Sequence, residues 1–425
     1  MKKVIALLLC VVTLLSLCAC GGGSGAAASG GDYKFPDIKL GDFNYPEVKD
    51  KLTWDKINAF PIKSSDMTVE EMRQLCVDFF RFSKTVVWTP NANLHYVKNN
   101  NGSEDDIFKG NVYGGFPYIG GGGCGNVYRA MDYYDTETGV MDVERAAKTI
   151  ALFGNHCSSA AFAGWGRVIN SAKYGYTMSM THFNGFLRVG PYTYDDMNIS
   201  FAKQTNTTAI CEQNGMDTMF ESYAQLHLGD GLVNYLQSGG HVIMVSSEPT
   251  VVYDADGKIN GGESYFTMIE QHQVWEDMEN EAGDKFLAEK SVDKKVTFLN
   301  MYNSSYLPFT FAEFLGTNPV EETEVTSSLT GDQVTVNQLL TSNVTANYGI
   351  SDVYAIVKDK KGNEVYRHVS RADSAGQLNL SFRPDGDTID SWGTLDVSKG
   401  EFTVEIQAQL STGERPTVYT GKLVP

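Results

Sequence analysis

The side-chain pattern changes near Val320, and that change splits the folding problem in two. Beyond it, six short runs of alternating apolar and polar residues recur between turn signals, at 333–336, 353–357, 364–368, 378–382, 402–409 and 418–423. Lys360-Lys361-Gly362-Asn363 reads as a hairpin turn. Alternation is what a half-buried strand requires, because successive side chains point to opposite faces. Residues 321–425 are therefore expected to form an all-β sandwich without cysteines. Upstream the periods are mixed, and 51–320 is expected to be an α+β domain.

Within that domain, Thr68-Val69-Glu70-Glu71 opens a helix whose apolar stripe runs through Met72, Leu75, Cys76, Phe79, Phe80 and Phe82. Cys76 on that stripe is a core residue. Residues 110–124 are dense in glycine but are followed by no Lys-Ser/Thr, so a phosphate loop is not expected; a tight loop or a close backbone approach is. Residues 171–228 read as irregular and rich in Tyr, Phe, Met and Asn. Strand signals follow at Leu232-Val233, 241–245, 250–253 and 265–270, with Asp254-Ala255-Asp256-Gly257 as a turn.

The first residues carry a different message. Lys2 and Lys3 precede an apolar run over 4–17, long enough for a secretory h-region and short for a membrane span. The run ends Leu17-Cys18-Ala19-Cys20, which resembles a lipobox. That resemblance implies cleavage after Ala19, a lipid on Cys20, a signal peptide over 1–19 and residence on the extracellular face of a membrane. Residues 20–50 read as a tether, glycine-rich at first and then polar with Pro36 and Pro46. The net charge of −18 becomes −20 once Lys2 and Lys3 are removed (−18 − 2). A balance that acidic argues against nucleic acid as a partner. Of seven cysteines, Cys76, Cys124, Cys157 and Cys211 would remain beside the lipidated Cys20. A domain this large needs no disulfide for stability, so a thiol can be kept for chemistry.

Three segments could carry that chemistry. In 154–168, Ala161, Phe162, Trp165, Val168 and Ile169 share one helical face, and Asn155 is a suitable N-cap. Cys157 would then lie in the first turn, where free amides and the helix dipole favour a thiolate and can bind an oxyanion. His241 begins an apolar strand directly after Gly239 and Gly240, and Glu270 closes another. Such strand ends can meet at one sheet edge, where a carboxylate can orient an imidazole base. Gln271 and His272 are alternatives for that role. No zinc motif is present, and neither metal nor cofactor is expected.

The order Cys-Ser-Ser-x-x-Phe-x-x-Trp, then Gly229-Asp230, Gly240-His241-Val242 and Ile269-Glu270-Gln271, resembles the papain-like cell-wall hydrolases of the CHAP and NlpC-type families. The resemblance covers roughly 110–275. It implies a papain-like fold with Cys157 as nucleophile, His241 as base, Glu270 as its orienting group and His272 nearby. It implies an amide substrate in peptidoglycan. The Tyr-bearing segment 110–119 is similar to one that precedes the cysteine in NlpC-type enzymes, which implies that Tyr113 or Tyr118 lines the site. The C-terminal unit resembles the Ig-like sandwiches appended to surface proteins. Four departures stand out: His156 where those families have Asp, His272 where they have Asn, a gap of 84 residues between Cys157 and His241 (241 − 157), and a Tyr-bearing segment further upstream of the cysteine than in those families. Cys124, close behind Tyr118, is the rival nucleophile, but its glycine surroundings offer no helix start. A non-catalytic surface protein that holds a wall fragment or glycan in such a cleft is the competing expectation, suited to the aromatics of 171–228.

Overall fold

The structure, a computed structural model, describes residues 48, 50–97, 104–119, 127–147, 154–172, 177–181, 185–194, 207–236, 239–272, 275–279, 285–288, 291–371, 377–381 and 397–425. The expected signal peptide, Cys20, the expected tether as far as residue 47, and Cys124 lie outside these residues. Among the described residues no helix is long and apolar enough to cross a membrane.

Helix and sheet are mixed in residues 51–320, which is compatible with the α+β expectation. Helix α1 (Val69–Thr85) starts with a capping box: Thr68 Oγ1 accepts Glu71 N–H at 3.2 Å, and Glu71 Oε2 accepts Thr68 N–H at 2.8 Å. Its buried side includes Met72, Leu75, Cys76, Phe79 and Phe80. Helix α2 (Cys157–Trp165) crosses it closely. A Cβ on Gly164 would lie 2.7 Å from Cys76 O, so only glycine allows the two backbones to come this near. Trp165 fixes the far end of α2 by donating its indole N–H to Gly229 O at 2.7 Å.

A third helix, α3 (Thr207–Tyr223), corrects the expectation of irregular chain over 171–228. Gly215 (φ 78°) interrupts it, so its apolar positions do not hold one helical phase along its length. Its buried Ile210, Cys211, Met219, Phe220 and Tyr223 pack with Tyr192 and Tyr194 into a core. These aromatics therefore do not form an open binding face.

Beneath α2 runs a six-stranded antiparallel sheet. Its strands are β1 (Leu187–Arg188), β2 (Gly231–Leu236), β3 (Gly239–Val245), β4 (Tyr265–Ile269), β5 (Lys294–Thr297) and β6 (Leu307–Thr310), in the order β5-β4-β3-β2-β6-β1. Alternation sorts its side chains into two cores. Val233, Val242, Met244 and Ile269 pack under α1 and α2, while Leu232, Ile243, Val245, Phe266 and Met268 pack under α3. Residues 250–253, expected as a strand, make only isolated pairings with Tyr265 and Ile259. A second six-stranded sheet is built from short pieces, including Val87–Pro90 and Tyr113–Gly114.

The C-terminal unit is all β among its described residues apart from short helical turns. It comprises β7 (Val325–Ser327), β8 (Gln333–Thr335), β9 (Asn343–Asp359), β10 (Glu364–Arg371), β11 (Gln377–Ser381), β12 (Phe402–Leu410) and β13 (Thr417–Val424). Strand β9 pairs β10 along one stretch, β11 along another and β12 on its other edge. The unit has its own core around Val353, Ala355, Val404 and Ile406. It is nevertheless docked. Arg129 Nε donates to Asp352 Oδ1 at 3.2 Å and Arg129 Nη2 to Ser351 O at 3.0 Å, with both charged side chains almost fully buried.

Candidate active site

Cys157 is the first residue of α2 and is 5% exposed. The helix is capped by His156, not by Asn155 as the sequence suggests. Asn155 is instead paired in extended form with the 117–119 strip: its N–H donates to Pro117 O at 2.9 Å, and Ile119 N–H donates to Asn155 O at 2.8 Å. The pairing ends at Asn155, so the half-helical position falls to the next residue. At N1 the Cys157 amide has no intrahelical acceptor, and the sulfur lies at the positive end of the helix. Both properties suit a thiolate and an oxyanion.

His241 enters from β3. Gly240 before it is a close approach rather than a turn, since a Cβ there would lie 2.1 Å from Thr177 Oγ1. The His241 N–H donates to Asn234 Oδ1 at 2.8 Å, and Asn234 Nδ2 donates to Ser304 O at 3.1 Å. Strand register explains its meeting with Glu270. Ile269 is opposite Met244; one pair further, Glu270 falls opposite Ile243, two residues from His241 and on the same face. Diagonal neighbours of this kind are within reach of long side chains. His241 Nε2 indeed lies 2.8 Å from Glu270 Oε2, while Lys294 Nζ donates to Glu270 Oε1 at 3.1 Å. With Nε2 engaged by the carboxylate, Nδ1 is the ring nitrogen left for the sulfur.

The charges are mutually dependent. Burial pushes the Cys157 thiol up, but the His156 and His241 rings, through hydrogen bonding and through the charge of each, outweigh it and hold the thiol at about 5. Burial likewise works against a charged His241, yet its bonds to Cys157 and Glu270 raise it to about 10. Glu270, against the cost of its burial, is held at about 2 by His241 and Lys294. Near neutral pH the site is a thiolate, an imidazolium and a carboxylate in a row.

Tyr118 forms an isolated parallel bridge with Asn155, two residues before Cys157. Tyr113 is 1% exposed, stacked on Trp88 with centroids 4.9 Å apart, and its hydroxyl accepts Phe108 N–H at 2.9 Å, which makes it a packing residue rather than a lining one. His272 is exposed at the rim, its pKa lowered by partial burial and by the nearby His241 and Lys charges despite Glu270. Gln271, weighed as an orienting group, points to the opposite face: Lys84 Nζ donates to its Oε1 and its Nε2 donates to Phe116 O, each at 2.9 Å.

Three contributors were not foreseen: His156, Asn234 and Tyr306. His156 was visible only as a departure from the family pattern. Tyr306 is 7% exposed, and burial with the Glu270 and Cys157 charges keeps its phenol protonated well above the usual range. It follows Ser305, which has positive φ (58°), and nothing in its sequence context signals the site.

A low-pKa cysteine, a cationic imidazole and an orienting carboxylate define a site able to perform nucleophilic thiol chemistry. Among the described residues no group of three or more His, Cys, Asp or Glu is placed to hold a metal ion. No protein-family model matches the chain, and no curated protein is significantly similar to it.

Proposed function

We propose that the chain is a surface-anchored cysteine amidohydrolase or endopeptidase with a papain-like domain over 51–320 and an Ig-like sandwich over 321–425, acting on an amide bond of peptidoglycan peptides. The observation that carries this reading is the first-turn Cys157 beside a histidine whose Nε2 is held by Glu270 at 2.8 Å. The Cys157 thiolate attacks the carbonyl carbon. The developing oxyanion takes up the Cys157 amide N–H. The His241 imidazolium then gives its proton to the departing amine, leaving a thioester. Neutral His241 next removes a proton from water, whose oxygen attacks the thioester; the C–S bond breaks to release the thiolate and the carboxylic acid, which loses its remaining proton to solvent. Glu270 keeps the imidazole oriented and stabilises its charge. Peptidoglycan as substrate rests on the resemblance of the Cys, His and Glu segments to the CHAP and NlpC-type families and on the lipobox-like start.

The test is incubation of the protein with purified peptidoglycan, followed by mass spectrometry of the released fragments. New amine and carboxyl ends that vanish with Cys157→Ala are expected. Intact peptide stems, or equal cleavage by Cys157→Ala, would overturn the reading.

A further inference from the structure

His241 follows two glycines, Gly239 and Gly240, and neither carries a side chain that could fix where the imidazole stands. Gly239 has φ 130°, a conformation that L side chains rarely adopt. Glu270 holds only the far end of the ring, through Nε2. The near end, the main chain of His241, is held by Asn234, its cross-strand partner on β2. Asn234 is 8% exposed, and its amide is used on both sides. Oδ1 accepts the His241 N–H at 2.8 Å, and Nδ2 donates to Ser304 O at 3.1 Å. A backbone N–H only donates and a carbonyl only accepts, so these two partners fix which way the amide faces. The anchor beyond Asn234 is itself held in place. Ser304 and Ser305 close the helical turn Phe298–Asn303, donating their N–H groups to Asn300 O at 3.0 Å and Tyr302 O at 2.9 Å. Ser305 has φ 58°, which a residue other than glycine keeps only where its surroundings over-determine it. Here they do. Ser305 Oγ lies 2.8 Å from Thr208 Oγ1 at the start of α3, and Tyr306 O accepts the hydroxyl of Tyr223, the last residue of α3, at 2.7 Å. The strand side is tied to the same helix, since Tyr235 N–H donates to Thr207 Oγ1 at 3.2 Å. Hydrogen bonds thus run from both ends of α3 through the 304–306 turn and one amide to the His241 main chain.

We infer that Asn234 is a positioning residue, whose amide ties the His241 main chain to the 304–306 turn and so holds the imidazole in place for Cys157 while Glu270 holds the ring from its other side. The inference rests on His241 being the base that partners Cys157. The titratable groups around His241 are Cys157 from α2 and Glu270 after β4, with Lys294 of β5 behind the carboxylate and His272 at the rim. Asn234 adds no charge to that set and acts on placement alone. An aspartate in its position could accept from His241 but could not donate to Ser304 O.

Two substitutions separate placement from packing. Asn234→Ala removes both hydrogen bonds. Asn234→Asp keeps the acceptor for the His241 N–H and loses the donor to Ser304 O. The measurement is the pH dependence of Cys157 alkylation by iodoacetamide, read by peptide mass spectrometry, with Tm measured alongside and His241→Ala as the reference. A displaced imidazole gives up part of its hold on the sulfur, and loss of one neutral hydrogen bond corresponds to about a three- to tenfold change. Alkylation of Asn234→Ala at pH ~6 should slow by that factor, its acid limb moving toward that of His241→Ala with the alkaline rate unchanged. A merely structural residue would behave differently, since loosening the fold exposes the buried sulfur and speeds labelling at every pH. Asn234→Asp should keep its acid limb near the wild-type position with a lower Tm. A wild-type profile in Asn234→Ala beside a displaced one in His241→Ala would overturn this inference alone. So would faster labelling of Asn234→Ala at every pH, or an acid limb in Asn234→Asp displaced as far as that of Asn234→Ala. Wild-type profiles in both Asn234→Ala and His241→Ala would overturn the base assignment, and this inference with it. Alkylation needs no substrate, so absence of peptidoglycan cleavage would sink the proposed function and leave this result standing.

Discussion

Replacing Glu270 by glutamine removes one charge and almost no volume, so its effect can be worked from the geometry. Glu270 Oε2 is 2.8 Å from His241 Nε2 and the carboxylate is buried. A hydrogen bond to a charged partner contributes about 1.5–3 kcal/mol, which is about 1–2 pKa units at 1.36 kcal/mol per unit. His241, held at about 10 in the wild type, should titrate about 1–2 units lower in Glu270→Gln. The sign for stability follows. A histidine raised by folding stabilises fully below its unfolded pKa of about 6.5, and that stabilisation is lost as pH rises through the folded value. Glu270, held at about 2, stabilises above its unfolded value of about 4.3 and loses this as pH falls through 2. Wild type should therefore exceed the variant most between about pH 4.5 and 8, and the His241 contribution to the gap should close above about 10. Lys294 loses its partner too but is half exposed, so that loss is small. The assay is a ring-proton NMR titration of the seven histidines, with His241→Ala to assign the resonance, and Tm as a function of pH. A His241 alkaline midpoint in Glu270→Gln within a few tenths of a unit of wild type would refute the coupling.

Other expectations follow from the same contacts. His241→Ala removes the imidazolium beside the sulfur, and Cys157 alkylation at pH ~6 should slow at least about tenfold as its thiol moves toward the ordinary ~8.5; an unchanged rate in a labelling time course would contradict this. Gly240→Ala drives a Cβ to 2.1 Å from Thr177 Oγ1, which should cost about 1–3 kcal/mol and displace His241; wild-type Tm and labelling together would argue against the close approach. Asp352→Ala leaves the Arg129 guanidinium buried without its carboxylate, at a cost of about 3–5 kcal/mol. A Tm for Asp352→Ala equal to wild type in differential scanning calorimetry would mean that the C-terminal unit is not docked through this pair.

The site elements that can be read from sequence are those whose signals are local. The Thr68–Glu71 box and its stripe specify α1, and apolar runs after Gly240 and before Glu270 specify β3 and β4. Period-2 reasoning brings His241 to Glu270 because both lie on one face near neighbouring strand ends. What is not legible depends on distant pairing. The cap of α2 moves from Asn155 to His156 because the 117–119 strip, far upstream, takes Asn155 into an extended pairing. Helix α3 is hidden by the break at Gly215. The second sheet is hidden because pieces as short as Tyr113–Gly114 carry no measurable period, and Tyr113 accordingly looks like a site residue when it is core. Asn234 and Tyr306 join the site through the 304–306 turn, and no spacing rule reaches that far.

The central claim is that one cysteine is activated and that it is Cys157. A limited iodoacetamide pulse at pH ~6–7, with peptide mass spectrometry of Cys76, Cys124, Cys157 and Cys211, tests it most directly. Burial pushes the Cys76 thiol far up and the Cys211 thiol up to about 12, whereas the paired imidazoles hold Cys157 at about 5. Cys157 should label first, well ahead of Cys76 and Cys211. Labelling of Cys157 no faster than the others, or of Cys124 before it, would contradict the account.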